Sequence, residues 1–227
     1  MRQLYWAFLF AFVVMVAGFW PTTAGSSVPL GPLRIVHGSL AALWMAMLVA
    51  QSFLAGRRKL AWHRRIGWAS VVVVPAFVVT AFLVVRDGLR HSTYFPRDLR
   101  LTLTWIDLWS LVLFTGLWGA AIARRRRWPL HARYMGCTVF VAIIPALGRL
   151  LGINLPAIGG LSGALHPSYW IVEAILIGLI ARDMRKGGHP APYAITLAGL
   201  ALSEMTMFAA PHWGWFNAIA EAIGPVG

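Results

Sequence analysis

Two histidine motifs in this chain repeat one another. The stretch "AWHRRIGW" at 61–68 sets His63 beside Arg64 and Arg65, and "LHARYMG" at 130–136 sets His131 two residues before Arg133. Imidazole is a metal and haem ligand as well as a proton acceptor, and guanidinium neutralises carboxylates or phosphates. An H-x-R pair therefore suits an axial ligand next to a cation that meets a haem propionate. Aligning "HRRIGWASVVVVPAFV" with "HARYMGCTVFVAIIPAL" matches His63 to His131 and Arg65 to Arg133. It also brings Pro75 and Pro145 within two residues of register, each followed by Ala.

Further polar residues stand inside apolar runs, where each is costly and marks a site to be explained. They are His37, Gln51, Asp107, Arg149, Glu173 and Glu204, with His91, His166 and His212 near the ends of runs. His37 and Gln51 are 14 residues apart, close to one face of a helix, with Trp44 and Leu48 between them. His131 and Arg149 are 18 apart, five turns of about 3.6 residues, so one helix would carry both, about 27 Å apart. Thr104, Asp107, Ser110 or Leu111, and Phe114 follow one line of a fourth helix.

These residues need elements to hold them, and composition names the solvent. Of the 227 residues 59% are hydrophobic and 12% charged, and the mean hydropathy is +0.70. That is bilayer composition. A hydrocarbon core of about 30 Å takes roughly 20 apolar residues per helix, and such windows fall at 4–20, 33–55, 66–85, 101–123, 134–152, 168–182 and 193–210. The expected fold is all-α and polytopic, about seven transmembrane helices in one domain. Helices 2–3 and 4–5 form two related hairpins and supply a four-helix core. The first run follows Arg2 and precedes "TTAGSS", as a signal peptide would, but it is long for one and ends in aromatic residues suited to an interface, so it is read as a permanent helix.

Orientation follows from Lys and Arg, which gather in cytoplasmic loops. "GRRKLAWHRR" and "RRRRWPLHAR" carry five basic residues each and "RDMRKGGH" three, all on one face if seven helices alternate. The N-terminus is then cytoplasmic and the C-terminus periplasmic. The net charge of +13 finds its partner in anionic lipid headgroups on that face, and no nucleic-acid module is visible. Cys137 is alone, so no internal disulfide and no Cys cluster exists. Phosphate-loop, nucleophile-elbow, H-E-x-x-H and dinucleotide motifs are absent.

Three functional readings stand. In the first, His63 and His131 hold a haem b at the inner face with Arg64, Arg65 and Arg133 around its propionates, and His37, with Gln51 on its stripe, holds a second at the outer face together with His166 or His212. In the second, His37, Asp107 and His166 bind zinc and a carboxylate activates water, as in a membrane hydrolase. In the third the chain is a non-catalytic accessory or scaffold subunit of a larger membrane complex. For Arg149 the simplest reading is an ion pair with Asp107, Glu173 or Glu204; a quinone oxygen is the functional alternative.

The sequence "HGSLAALWMAMLVAQSFLAGRRKLAWHRRIGW", with "HARYMGCTVFVAIIPALGRL", resembles a family of uncharacterised multi-pass bacterial inner-membrane proteins with HG…W…Q…HRR-x-G and H-x-R-x-M signatures, over about residues 33 to 150. The resemblance implies a bacterial inner-membrane location and no established activity. It singles out His37, Gln51, His63, Arg65, His131, Arg133, Met135 and Arg149. More distantly, the chain is similar to di-haem cytochrome b families and to haem-related oxidase assembly proteins. The di-haem pattern sets two histidines 13 or 14 residues apart on one helix; here that spacing joins His37 to Gln51. Together these readings give a haem- or quinone-associated redox or assembly component as the sharpest testable expectation, beside the plainer accessory or scaffold reading.

Overall fold

A computed structural model describes residues 2–23, 25, 30–91 and 95–225, with the side chains of Arg2, Gln3 and His91 outside the description. The described residues hold eight α-helices: α1 (Arg2–Phe19), α2 (Pro32–Gly56), α3 (Leu60–His91), α4 (Arg97–Ala123), α5 (Trp128–Asn154), α6 (Gly160–Arg185), α7 (Ala191–Thr206) and α8 (Gly214–Ile223). Single 3-10 turns follow α1, precede α6 and precede α8. No strand occurs among them. The stretch "SVVVVPAFVV" in α3 is rich in β-branched residues that favour strands in water. In hydrocarbon every backbone group must be satisfied within its own segment, and that requirement makes it a helix.

Six helices, α1 to α6, are long and apolar enough to cross a bilayer, so the chain is a multi-pass membrane protein. The seventh expected span, 193–210, is a helix of 16 residues that stops at Thr206, about 24 Å at 1.5 Å per residue. The eighth helix is an addition. "GWFNAIAEAI" is ten residues, too short to span. It buries Phe216 and Ala220 while Trp215 and Ile219 stay exposed, the two-sided pattern of an interfacial helix.

The chain forms two compact units, Met1–Thr80 with Ala142–Ala164, and Ala81–Val141 with Leu165–Gly227. The two repeated hairpins fall mainly into different units. In the first unit α1 packs on α2, with Tyr5 against Phe53 (ring centres 5.8 Å apart). Its end meets the last part of α5: Gly18 lies so close to Ala146 that a Cβ would overlap the carbonyl oxygen, and the Arg149 guanidinium lies 4.6 Å over the Phe19 ring. Trp44, Met45, Leu48 and Val74 are buried.

In the second unit α4 and α7 are tied by two indole donors, Trp109 Nε1 to the Gly199 carbonyl at 2.7 Å and Trp105 Nε1 to Thr206 Oγ1 at 3.0 Å. Val85, Leu89, Leu101, Ala210, Phe216 and Ala220 make a buried cluster with Trp105 and Trp213 packed on it, which docks α8. Gly187 closes α6 with φ +61°, a left-handed conformation glycine adopts without strain, and the next amide, Gly188 N–H, donates to the Asp183 carbonyl at 2.7 Å.

Candidate functional site

His63 stands in the first turn of α3, just after the basic loop. Its Nδ1 lies 3.2 Å from the backbone carbonyl oxygen of Gln51 on α2. His131 stands in the first turn of α5, and its Nδ1 lies 2.9 Å from the carbonyl oxygen of Ala121 on α4. A carbonyl only accepts, so in both rings Nδ1 carries the proton and the lone pair resides on Nε2. The sequence echo is thus a structural echo: each returning helix opens with an imidazole that donates to the helix before it, across an arginine-bearing turn.

The same tautomer recurs deeper in the chain. His37 Nδ1 is 3.3 Å from Thr80 Oγ1, and the Thr80 hydroxyl donates to Ala76 O at 2.9 Å, which leaves its oxygen to accept from His37. Phe77 stacks on the His37 ring at 5.0 Å with an interplanar angle of 12°. Thr80→Val keeps the shape and removes the acceptor. Thermal unfolding in detergent is expected to show a loss of about 0.5–1 kcal/mol, from removing one of the two acceptors of the ring while the Phe77 carbonyl stays; an unchanged midpoint would mean that the His37 ring has no stake in Thr80.

Between these two histidines the first unit holds further polar groups. Both side-chain atoms of Gln51, Oε1 and Nε2, are buried with no hydrogen-bond partner, as is Ser70 Oγ. Gly67 packs against this amide, its Cβ position standing at ordinary contact distance, 3.5 Å, from Gln51 Nε2. His63, Gly67 and Ser70 recur at i, i+4 and i+7 on α3, one face of that helix. Buried amides without partners are rare in folded proteins, and Gln51 is the expected site residue with the most hydrogen-bonding capacity unused.

The arginines are less available than their spacing suggests. Arg133 Nε donates to Asp183 Oδ2 at 2.5 Å, and its Nη1 donates to the Pro129 carbonyl at 2.9 Å. The Asp183 side chain is 5% exposed and that of Arg133 19%. Sequence reasoning made Arg133 a cofactor-facing cation and left Asp183 in a basic loop; the fold joins them as a structural ion pair. Arg65 lies 5.5 Å from the Trp62 ring centre, an interfacial cation–π contact.

Arg149 has partners within its own unit, and the acids expected to pair with it, Asp107, Glu173 and Glu204, belong to the other. Its own unit gives it the Phe19 ring and, through Nη1, the Pro145 carbonyl at 3.0 Å. Of the acids proposed for it, Glu204 binds His166 Nδ1 and accepts the Trp170 indole N–H at 3.1 Å through the same oxygen. Glu173 has a buried Oε1 without a partner. Asp107 acts electrostatically on Tyr169, whose hydroxyl bonds Ser203 Oγ at 3.0 Å.

Among the described residues no group of three or more His, Cys, Asp or Glu side chains is arranged to hold a metal ion. Two apolar grooves run along α1, lined by residues such as Leu9, Phe12, Val16 and Val49; no histidine borders either.

The His166–Glu204 pair was within reach of the sequence. α6 and α7 form a hairpin about Lys186–Gly188, and counting outward from that turn brings residues near 166 opposite residues near 204. Neither a protein-family model, nor a curated protein, nor a solved structure matches the chain.

Proposed function

We propose that this is a bacterial inner-membrane protein, N-terminus cytoplasmic and, with the 16-residue α7 as a short seventh crossing, C-terminus periplasmic, acting as a haem- or quinone-associated redox or assembly component. One observation carries the reading. In His37, His63, His131 and His166 alike, Nδ1 engages an acceptor, which places the lone pair on Nε2. Imidazoles that ligate a metal have that arrangement, with the second ring nitrogen donating to a carbonyl or carboxylate that orients the ring.

His63 and His131 are the candidate axial ligands, each at the base of its own hairpin, and Arg65 is a candidate propionate partner in the unit of His63. His37 and the unpartnered Gln51 amide are the corresponding residues of the first unit's interior. A bound haem b would supply one-electron chemistry there. The chain's own contribution is to fix the tautomer and to keep the imidazoles at the base of each hairpin, where the loops bearing Arg57, Arg58, Lys59 and Arg124 to Arg127 meet anionic headgroups.

The test is spectroscopic. The full chain, expressed with a haem precursor and purified in maltoside, is expected to show a Soret band that is lost in His63→Ala or His131→Ala. A colourless, well-folded preparation would remove the haem reading. An accessory or scaffold subunit is the second reading, and it rests on the same hydrogen bonds viewed as hairpin clasps together with the Arg133–Asp183 pair. It predicts no chromophore and a modest stability loss in both alanine variants.

A further inference from the structure

The His166–Glu204 pair differs from the hairpin clasps because it opens outward. The His166 side chain is 41% exposed while the Glu204 carboxylate beneath it is 13% exposed. Glu204 Oε1 takes two donors, His166 Nδ1 and the Trp170 indole, so carboxylate and ring are both held in place. Trp170 stacks on the imidazole at 5.7 Å and 25°, and Phe208 flanks it at 5.3 Å; both aromatic rings are exposed. The result is an exposed aromatic shelf around an imidazole whose Nδ1 is committed to Glu204, so that in the neutral ring Nε2 is the acceptor.

Depth and charge narrow what would meet that atom. His166 is six residues into α6, about 9 Å from its start, and Glu204 is two residues from the end of α7, so the shelf lies near one membrane interface. An acyl chain offers nothing to an acceptor. An anion is disfavoured, because the Glu204 carboxylate lies directly against the imidazole. A quaternary ammonium would need open aromatic faces, and the imidazole covers one face of Trp170. A flat, neutral ring with a hydroxyl donor and an apolar tail suits both the aromatic faces of Trp170 and Phe208 and the imidazole acceptor.

We infer that the shelf of His166, Trp170 and Phe208 binds the head group of a membrane hydroquinone, whose ring hydroxyl donates to His166 Nε2. The inference rests on the redox reading above and names its lipid-soluble partner. Glu204 acts as a positioning residue: it holds the proton on Nδ1 and so keeps Nε2 an acceptor. The oxidised quinone has carbonyls in place of hydroxyls and cannot donate to that nitrogen, so the site prefers the reduced form.

The experiment is equilibrium binding of ubiquinol-1 and ubiquinone-1 to the full chain in dodecyl maltoside. Saturable binding is expected, tighter for ubiquinol-1, and weakened about tenfold or more in His166→Phe, which keeps the stacking and loses the acceptor. Glu204→Gln is expected to give a smaller loss, about threefold, and to narrow the preference for the reduced form. Wild-type affinity in His166→Phe, no saturable binding by the native chain, or competition by tetramethylammonium would each overturn the proposal. Haem content of the same samples separates the two claims: ubiquinol-1 binding to a colourless protein refutes the haem and leaves this site standing, and a Soret band without ubiquinol-1 binding does the reverse.

Discussion

Arg133→Leu is expected to destabilise the protein by about 3–5 kcal/mol, the range for breaking a buried ion pair from one side. The reason lies in what remains. Asp183 stays 5% exposed after its bidentate-capable partner is gone, and the nearest other cation, Arg182, holds it only at 3.7 Å from a half-exposed position. Asp183→Leu leaves the opposite remnant, a guanidinium already 19% exposed and next to the basic loop, which can move its head group to water. Its loss should therefore be smaller. The double variant Arg133→Leu with Asp183→Leu removes both charges and is expected to recover more than half of the Arg133→Leu loss. Reversible unfolding of all four proteins in mixed micelles closes the cycle. Additive single effects would show that the two groups do not interact in the folded state. The haem reading is tested alongside: if Arg133 serves only Asp183, a Soret band present in the native chain survives in whatever fraction of Arg133→Leu folds.

The sequence disclosed most about depth and least about rotation. Runs such as 101–123 and 134–152 reappear as the body of α4 and α5 because hydrocarbon thickness sets a length that composition alone meets. α8 was missed for the converse reason: its signal is a ten-residue alternation of faces, visible as Phe216 and Ala220 against Trp215 and Ile219, and hydropathy windows average it away. α7 was drawn too long since its apolar character continues through Met207 and Phe208 into the turn before Pro211.

Partner choice is the other half of what stayed hidden. His63 and His131 were singled out by type and repetition, and both proved to be tied into their hairpins, yet nothing in "HRRIGW" says that its imidazole donates to Gln51 rather than to a ligand. Asp183 carried no motif at all. Its pairing with Arg133 depends on α5 and α6 presenting those two residues at one level, a fact of helix rotation that a single sequence does not encode locally. The Gln51 amide shows the reverse case: the heptad spacing from His37 pointed to it, and the fold leaves it buried without a partner.

Gly18→Leu is the second large effect, and it bears on what keeps α1 in place. Lipid tails are as apolar as leucine, so α1 gains little from burial against its neighbours and depends on close van der Waals approach. Gly18 provides it, with Ala146 Cα only 2.9 Å from where a Cβ would stand and the carbonyl oxygen nearer still. The obstacle is backbone on both sides, which cannot rotate away, so any side chain must push α1 off α5 and part Phe19 from Arg149. A loss of about 1–3 kcal/mol is expected for Gly18→Ala, and more for Gly18→Leu. Gly38→Ala is the matched control: no atom lies within 4 Å of its Cβ position, and helix propensity alone predicts a gain of up to about 1 kcal/mol. Thermal unfolding of the three variants decides it, and equal midpoints for Gly18→Leu and the native chain would show that α1 does not depend on this contact. Because the Phe19 ring covers the Arg149 guanidinium, Gly18→Leu should also expose that cation. A variant that folds but gains reactivity at Arg149 toward an arginine-selective dicarbonyl would identify α1 as the element that shields this cation.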